Sequence, residues 1–228
     1  MNTTRTNTLY LVRHGENAAN LTREFSYKLV DYSLTPKGVL QAEQTADFFK
    51  NSTIDAIYSS PLKRACETAQ IIARPHKQPV TIIEEFREIN VGDLERMPPN
   101  ETSWQLHDQI IAAWTSGKLD IPFPGGENFL ELVARVRAGL LEATYKRDKQ
   151  RIVIVAHGGC ITALVRSLCP NAGGQRTRSA MHNCAITEME LITSEDDLTS
   201  SLLSWACSTH LCGEAAELIP AALRYKKA

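Results

Sequence analysis

Two short apolar runs constrain this chain more than any other feature. Thr8–Val12 (TLYLV) and Arg151–Ala156 (RIVIVA) each have the length and composition of a buried strand, and each stops at a histidine followed by glycine. The stops are Arg13-His14-Gly15 and His157-Gly158-Gly159. A third apolar run, Ile54–Tyr58, stops at Ser59-Ser60-Pro61, and Val80–Ile83 has the look of a fourth strand. Helical patterns lie between them. Thr35 suits a helix cap and Pro36 the first helical position, and Val39, Leu40, Ala42, Ala46, Phe48 and Phe49 then make one apolar face up to about Lys50. Further helices are expected over Leu62–Ala73 (closed by Pro75), Ser103–Thr115, Asn128–Arg147 and Cys160–Ser167. Strands that alternate with helices imply an α/β domain with a largely parallel sheet.

The remaining segments fill in this outline. Glu84–Pro99, rich in charge, Gly and Pro, reads as an irregular loop, and Pro122–Gly126 is a breaker. Ala185–Leu191 and Ser201–Ala206 read as late strands joined by the polar Thr193–Ser200, with a final helix expected from Gly213. The 228 residues suffice for one domain over 1–228, with a small inserted subdomain around 95–123.

Charge and cysteine usage exclude several function classes. The formal net charge is -1, so there is no bulk cationic field for nucleic acid or an anionic membrane. The opening MNTTRTNT lacks the pattern of a signal peptide, and no apolar stretch approaches a membrane span. The six cysteines form no CxxC pair and read as reduced thiols of a cytoplasmic protein rather than as disulfides or zinc ligands.

Any anion site must therefore be local, and the strand ends supply one. In open α/β sheets, ligands bind beyond the carboxyl ends of the strands. His14, His157, Ser59-Ser60 and the nearby Arg13 and Arg64 can all meet over one crevice there. Two guanidiniums, two imidazoles and a helix N-terminus suit a phosphoryl group.

The stretches LYLVRHGENAAN, LTPKG, YSSPLKRACETA, FREINVGDLE and VIVAHGG, with NCAITEMEL and WACSTHL later on, resemble the histidine phosphatase superfamily, also called phosphoglycerate mutase-like. The resemblance runs from Thr8 to about Leu211. It implies a three-layer α/β/α sandwich with a mostly parallel mixed sheet. It implies His14 as the nucleophile that becomes a phosphohistidine. Arg13, Arg64, His157 and Gly158 would form the phosphate pocket, joined by Asn20 and by Asn17, which stands where relatives usually carry Ser or Thr. Glu88 matches the general acid and base. Neither a metal nor another cofactor is implied, because arginines and histidines carry the positive charge.

Several readings remain open at this level. Cys160–Arg166 fits the C-x5-R pattern of cysteine phosphatases, but ITALV is apolar and helix-like, so Cys160 is expected to pack beside the pocket. Leu94-Glu95-Arg96 replaces the Trp-Glu-Gly of many relatives, and Arg96 is a candidate anion contact. His76, His107, His182 and His210 are expected to be structural or exposed, and Arg23 and Lys28 solvated or touching substrate. The FREINVGD run has the style of phosphatases rather than of sugar-acid mutases. The expectation is a metal-independent phosphoric monoester hydrolase acting on a small phosphate ester, such as a sugar phosphate or nucleotide. A mutase or a non-catalytic phospho-ligand binding module is the alternative. Substrate choice falls to Arg23–Asp31 and Glu95–Phe123, where Trp104 and Trp114 either stack on a ligand or pack on the domain.

Overall fold

A computed structural model of the protein describes residues 4–173, 181–194 and 198–218. In chain order the elements are β1 (Arg5–Arg13), α1 (Ala18–Thr22), α2 (Pro36–Phe49), β2 (Ala56–Ser59), α3 (Lys63–Ala73), β3 (Val80–Ile82), α4 (Glu101–Thr115), α5 (Phe129–Thr144), β4 (Arg151–Ala156), α6 (Gly158–Leu168), β5 (Ile186–Thr193) and β6 (Leu198–Cys207). Short 3-10 turns occupy Arg74–His76, Glu84–Phe86, Gly92–Arg96, Pro170–Ala172 and Gly213–Ala216. The expected final helix is a single 3-10 turn as far as residue 216, and residues 219–228 lie outside the described set. Part of the expected polar connection is strand instead, because β5 runs on to Thr193 and β6 begins at Leu198; residues 195–197 between them lie outside the described set.

The strands form one sheet in the order β3-β2-β4-β1-β5-β6. β2 pairs with β3 and β4 in parallel, β1 pairs with β4 in parallel, and β5 runs antiparallel to both β1 and β6. Side chains alternate between the two faces of a strand. On one face Leu9, Leu11, Ile152 and Ile154 join Leu132, Val136 and Leu140 of α5 and Ile161 and Leu164 of α6. On the other, Tyr10, Val12, Val153 and Val155 meet Ala65, Ala69 and Ile72 of α3 and Phe49 of α2. The result is helix, sheet and helix in three layers.

Strand order positions the site. β2, β4 and β1 are adjacent and parallel, so Ser60, His157 and His14 emerge side by side at one edge. The α2 N-terminus abuts the same edge. Thr35 Oγ1 accepts from the Gly38 amide at 3.1 Å and caps the helix, and Pro36 fills its first turn. A Cβ on Gly38 would lie 2.1 Å from the Glu16 carbonyl oxygen, so only glycine lets α2 approach the turn after His14 this closely. No described helix is long and apolar enough to cross a membrane.

Candidate active site

His14, at the end of β1, is buried, and its partners fix its tautomer. A carbonyl can only accept and a guanidinium only donate. Nδ1–H therefore donates to the Gly15 carbonyl at 2.7 Å, and Nε2 accepts from Arg64 Nε at 3.1 Å. Burial first, then the charges of Arg64 and Arg13, hold this imidazole well below the usual histidine range. His14 is thus neutral at pH 7 with its lone pair on Nε2.

Arg64, in the first turn of α3, is among the largest fully buried side chains. Its Nη2 donates to the Ser26 carbonyl at 2.8 Å and to His157 Nδ1 at 3.1 Å. Burial pulls its pKa down to about 10, so it stays cationic. Arg13 donates from Nη1 to the Met181 carbonyl. Arg13 Nε and Arg64 Nη1 are buried without a hydrogen-bond partner among the described residues. Buried, unspent guanidinium donors are costly unless an anion meets them.

Glu88 faces the arginines from the loop after β3. Its Oε1 accepts from the amides of Ile89 (2.9 Å) and Cys160 (3.0 Å), and Oε2 lies 3.3 Å from the Gly159 amide. The carboxylate thus sits on the N-terminus of α6, where the helix dipole favours negative charge. Arg13, His14, Asn20, Arg64, Glu88 and Gly158 all line one cavity of about 580 Å3.

A profile of the histidine phosphatase superfamily (branch 1) matches residues 9–202. The chain belongs to this superfamily. It is 34% identical over 158 residues to an uncharacterized phosphatase, PhoE, of Bacillus subtilis, covering 69% of this chain and 75% of the relative. It is 33% identical over 190 residues to a probable phosphoglycerate mutase, GpmB, of Proteus mirabilis, covering 80% and 84%. Among solved structures, a phosphoserine phosphatase of Entamoeba histolytica in complex with 3-phosphoglyceric acid superposes with a TM-score of 0.70 at 29% identity, covering 90% of this chain and all (100%) of that one.

Two of the expected phosphate contacts of this histidine phosphatase chain are off the cavity lining and bonded to protein groups. His157 does not line the cavity. It is wholly buried, its Nδ1 accepts from Arg64, and its Nε2–H donates to Ser60 Oγ at 2.7 Å. Both ring nitrogens are met by protein groups. Burial, then Arg64, holds its pKa well below the usual range. Asn17 is also off the cavity lining: its Oδ1 accepts from the Asn20 amide at 3.3 Å and caps α1, while its Nδ2 is buried without a hydrogen-bond partner among the described residues. Asn20 does line the cavity. Its Oδ1 accepts from the Asn17 amide and from Asn183 Nδ2, which leaves its own Nδ2 for a ligand.

Cys160 is buried in the core inside α6, and burial pushes its thiol up to about 12. It donates its amide to Glu88 rather than to a ligand, so it has neither the thiolate nor the loop of a cysteine phosphatase. Arg96 is exposed and off the cavity lining, and so is Lys28; Arg23 is on it.

Several supporting residues carry no local signal in the sequence. Asn183 Nδ2 bridges the His14 carbonyl and Asn20 Oδ1, each at 3.0 Å. Arg135 of α5 donates to the carbonyls of Glu85, Arg87 and Glu88 and pairs with Glu127, whose Oε1 lies 2.7 Å from Nη2. This fork holds the backbone beneath Glu88. Glu95 Oε1 accepts from the amides of Tyr27, Lys28, Leu29 and Val30 and fastens the loop that brings the Ser26 carbonyl to Arg64. His107, expected to be structural or exposed, lines the cavity beside Phe25 and Trp104.

Proposed function

We propose that this superfamily member is a phosphomonoesterase working through a phosphohistidine on His14. The observation that carries the reading is the His14 Nε2 lone pair beside the unspent donors of Arg13 and Arg64. The guanidiniums and Asn20 hold the phosphoryl oxygens and stabilise the charge that develops as phosphorus moves. Arg64 Nε shifts from His14 Nε2 to a phosphoryl oxygen as substrate enters. Nε2 then attacks phosphorus, the P–O ester bond breaks, and the alcohol oxygen takes a proton from the Glu88 carboxyl group. Water next attacks the phosphohistidine, gives its proton to the Glu88 carboxylate, and orthophosphate leaves with His14 restored. Protein cations supply the positive charge at each step, so the scheme is metal-independent. His157 serves by orienting Arg64. The whole chain acts as one catalytic domain, and the segment around 95–123 is its substrate-facing insertion.

The test is hydrolysis of an aryl phosphate in EDTA by wild type, His14→Ala and Cys160→Ser. Wild type and Cys160→Ser are expected to turn over, with His14→Ala at least about a thousandfold slower. Full activity in His14→Ala sinks the reading. Wild type that moves phosphate between the hydroxyls of phosphoglycerate without releasing it is a mutase instead.

A further inference from the structure

The cavity is far larger than its phosphate end. At about 580 Å3 it falls within the range of small-molecule sites, and a phosphoryl group with a three-carbon acid would leave most of it empty. Beyond Glu88 its lining is Phe25, Trp104, His107, Ile111, Trp114 and Phe129. The indole N–H groups of these rings are already spent, and so is one nitrogen of His107. Trp104 Nε1 donates to the Arg23 carbonyl at 3.1 Å, Trp114 Nε1 donates to the Ile121 carbonyl at 2.7 Å, and His107 Nδ1 pairs with Asp108 at 2.9 Å. Phe25 and Trp104 lie 4.5 Å apart at 30°, close to a parallel stack.

Three further charged groups line the cavity, Glu24, Arg23 and Arg166. Glu24 lines it and is itself negative. The guanidinium of Arg23 lies 4.6 Å over the Trp104 ring, and Arg166 is exposed at the mouth near Thr115. Thr162 donates its hydroxyl to the Gly158 carbonyl at 2.7 Å.

We infer that the leaving group is an aromatic or comparably flat apolar alcohol, so that the substrates are aryl and arylalkyl phosphate monoesters rather than phosphorylated hydroxy acids. The inference rests on the phosphomonoesterase reading. An apolar wall rewards an apolar leaving group by area removed from water, and its ring faces offer a carboxylate nothing in exchange for its hydration. Ile111, partly exposed on α4, is then a specificity-determining residue.

The experiment compares kcat/KM for 2-phenylethyl phosphate, glycerol phosphate, phosphoserine and 3-phosphoglycerate. All four have an alkyl alcohol as leaving group, so a difference among them reports the pocket rather than the acidity of an aryl alcohol. Wild type is expected to favour 2-phenylethyl phosphate by about tenfold or more. Ile111→Asn is expected to cut kcat/KM for that ester several-fold more than for glycerol phosphate. If the three polar esters are hydrolysed as fast as or faster than the aromatic one, the inference falls and the phosphomonoesterase reading stands. If none of the four is hydrolysed, the inference falls, and the phosphomonoesterase reading stands or falls with the aryl phosphate assay.

Discussion

His14 and His157 are both buried, and burial with the neighbouring arginines keeps both neutral. An unfolded histidine titrates near 6.5, so below that pH the unfolded chain binds protons that the folded chain refuses. Folding stability is therefore fully present above about pH 6.5 and declines as pH falls toward the depressed folded-state values. The slope is up to about 1.4 kcal/mol per pH unit for each histidine. Urea midpoints at pH 7.5, 6.5 and 5.5 are expected to decrease for wild type. His14→Asn should flatten that decline by one proton's worth, and an unchanged slope would show that His14 charges freely in the fold. At the same scale, a Cβ on Gly159 would lie 2.6 Å from Glu88 Oε1 and 2.5 Å from Ile89 Cδ1. Gly159→Ala displaces the carboxylate, so kcat is expected to drop about tenfold or more with KM changed less. Which residues meet could be read in advance, though not what each does. Arg13, His14, Arg64, Glu88 and Gly158 sit in short contiguous motifs at strand ends, and the structure gathers them around one cavity. That protein groups meet both nitrogens of His157 and the Oδ1 of Asn17 was not legible, because a motif names a residue without saying which of its atoms its neighbours occupy.

Single elements deliver these groups, and two of them are held by charged side chains distant in sequence. Glu95 gathers four successive amides on one oxygen. Glu95→Ala leaves these donors to water and loosens the loop that touches Arg64. A loss of about 1–2 kcal/mol is expected in thermal or urea unfolding, together with a raised KM for phosphate esters. Arg135 holds the loop beneath Glu88 through three carbonyls and through Glu127, which is only 9% exposed. Arg135→Met strands that buried carboxylate and is expected to cost about 3 kcal/mol. If Arg135 positions Glu88, kcat falls in proportion more than KM rises; a purely structural role would lower stability and leave the kinetics of the folded fraction unchanged. Neither latch was visible in the sequence. Element types were, because Thr35-Pro36 caps α2 and Asn128 caps α5 as local chemistry dictates. Partnerships such as Glu95 with residues 27–30 exist only once the fold brings distant loops together.

Across the whole molecule, the order β2-β4-β1 makes the site, since three parallel strands end together and each delivers one part of it. A ligand that joins these ends should stabilise the entire fold. Orthophosphate or vanadate at about a hundred times its dissociation constant contributes about 2.7 kcal/mol. The melting temperature of wild type is expected to rise with added orthophosphate and that of Arg64→Met to stay nearly flat; equal shifts would place the anion elsewhere. The sheet order could not be read from the sequence, because the late strands β5 and β6 show alternation but not which edge they join.

The aromatic wall of the cavity carries a cost for the history of such a protein. Phe25, Trp114 and Phe129 belong to the same packed cluster as Leu9 and Ile154 in the middle of the sheet. Ligand preference and folding therefore draw on the same side chains. A lineage that changes its substrate by altering this wall also gives up packing energy. It is expected to reach new specificities through sequences that carry compensating exchanges elsewhere in the core, and to do so in small steps.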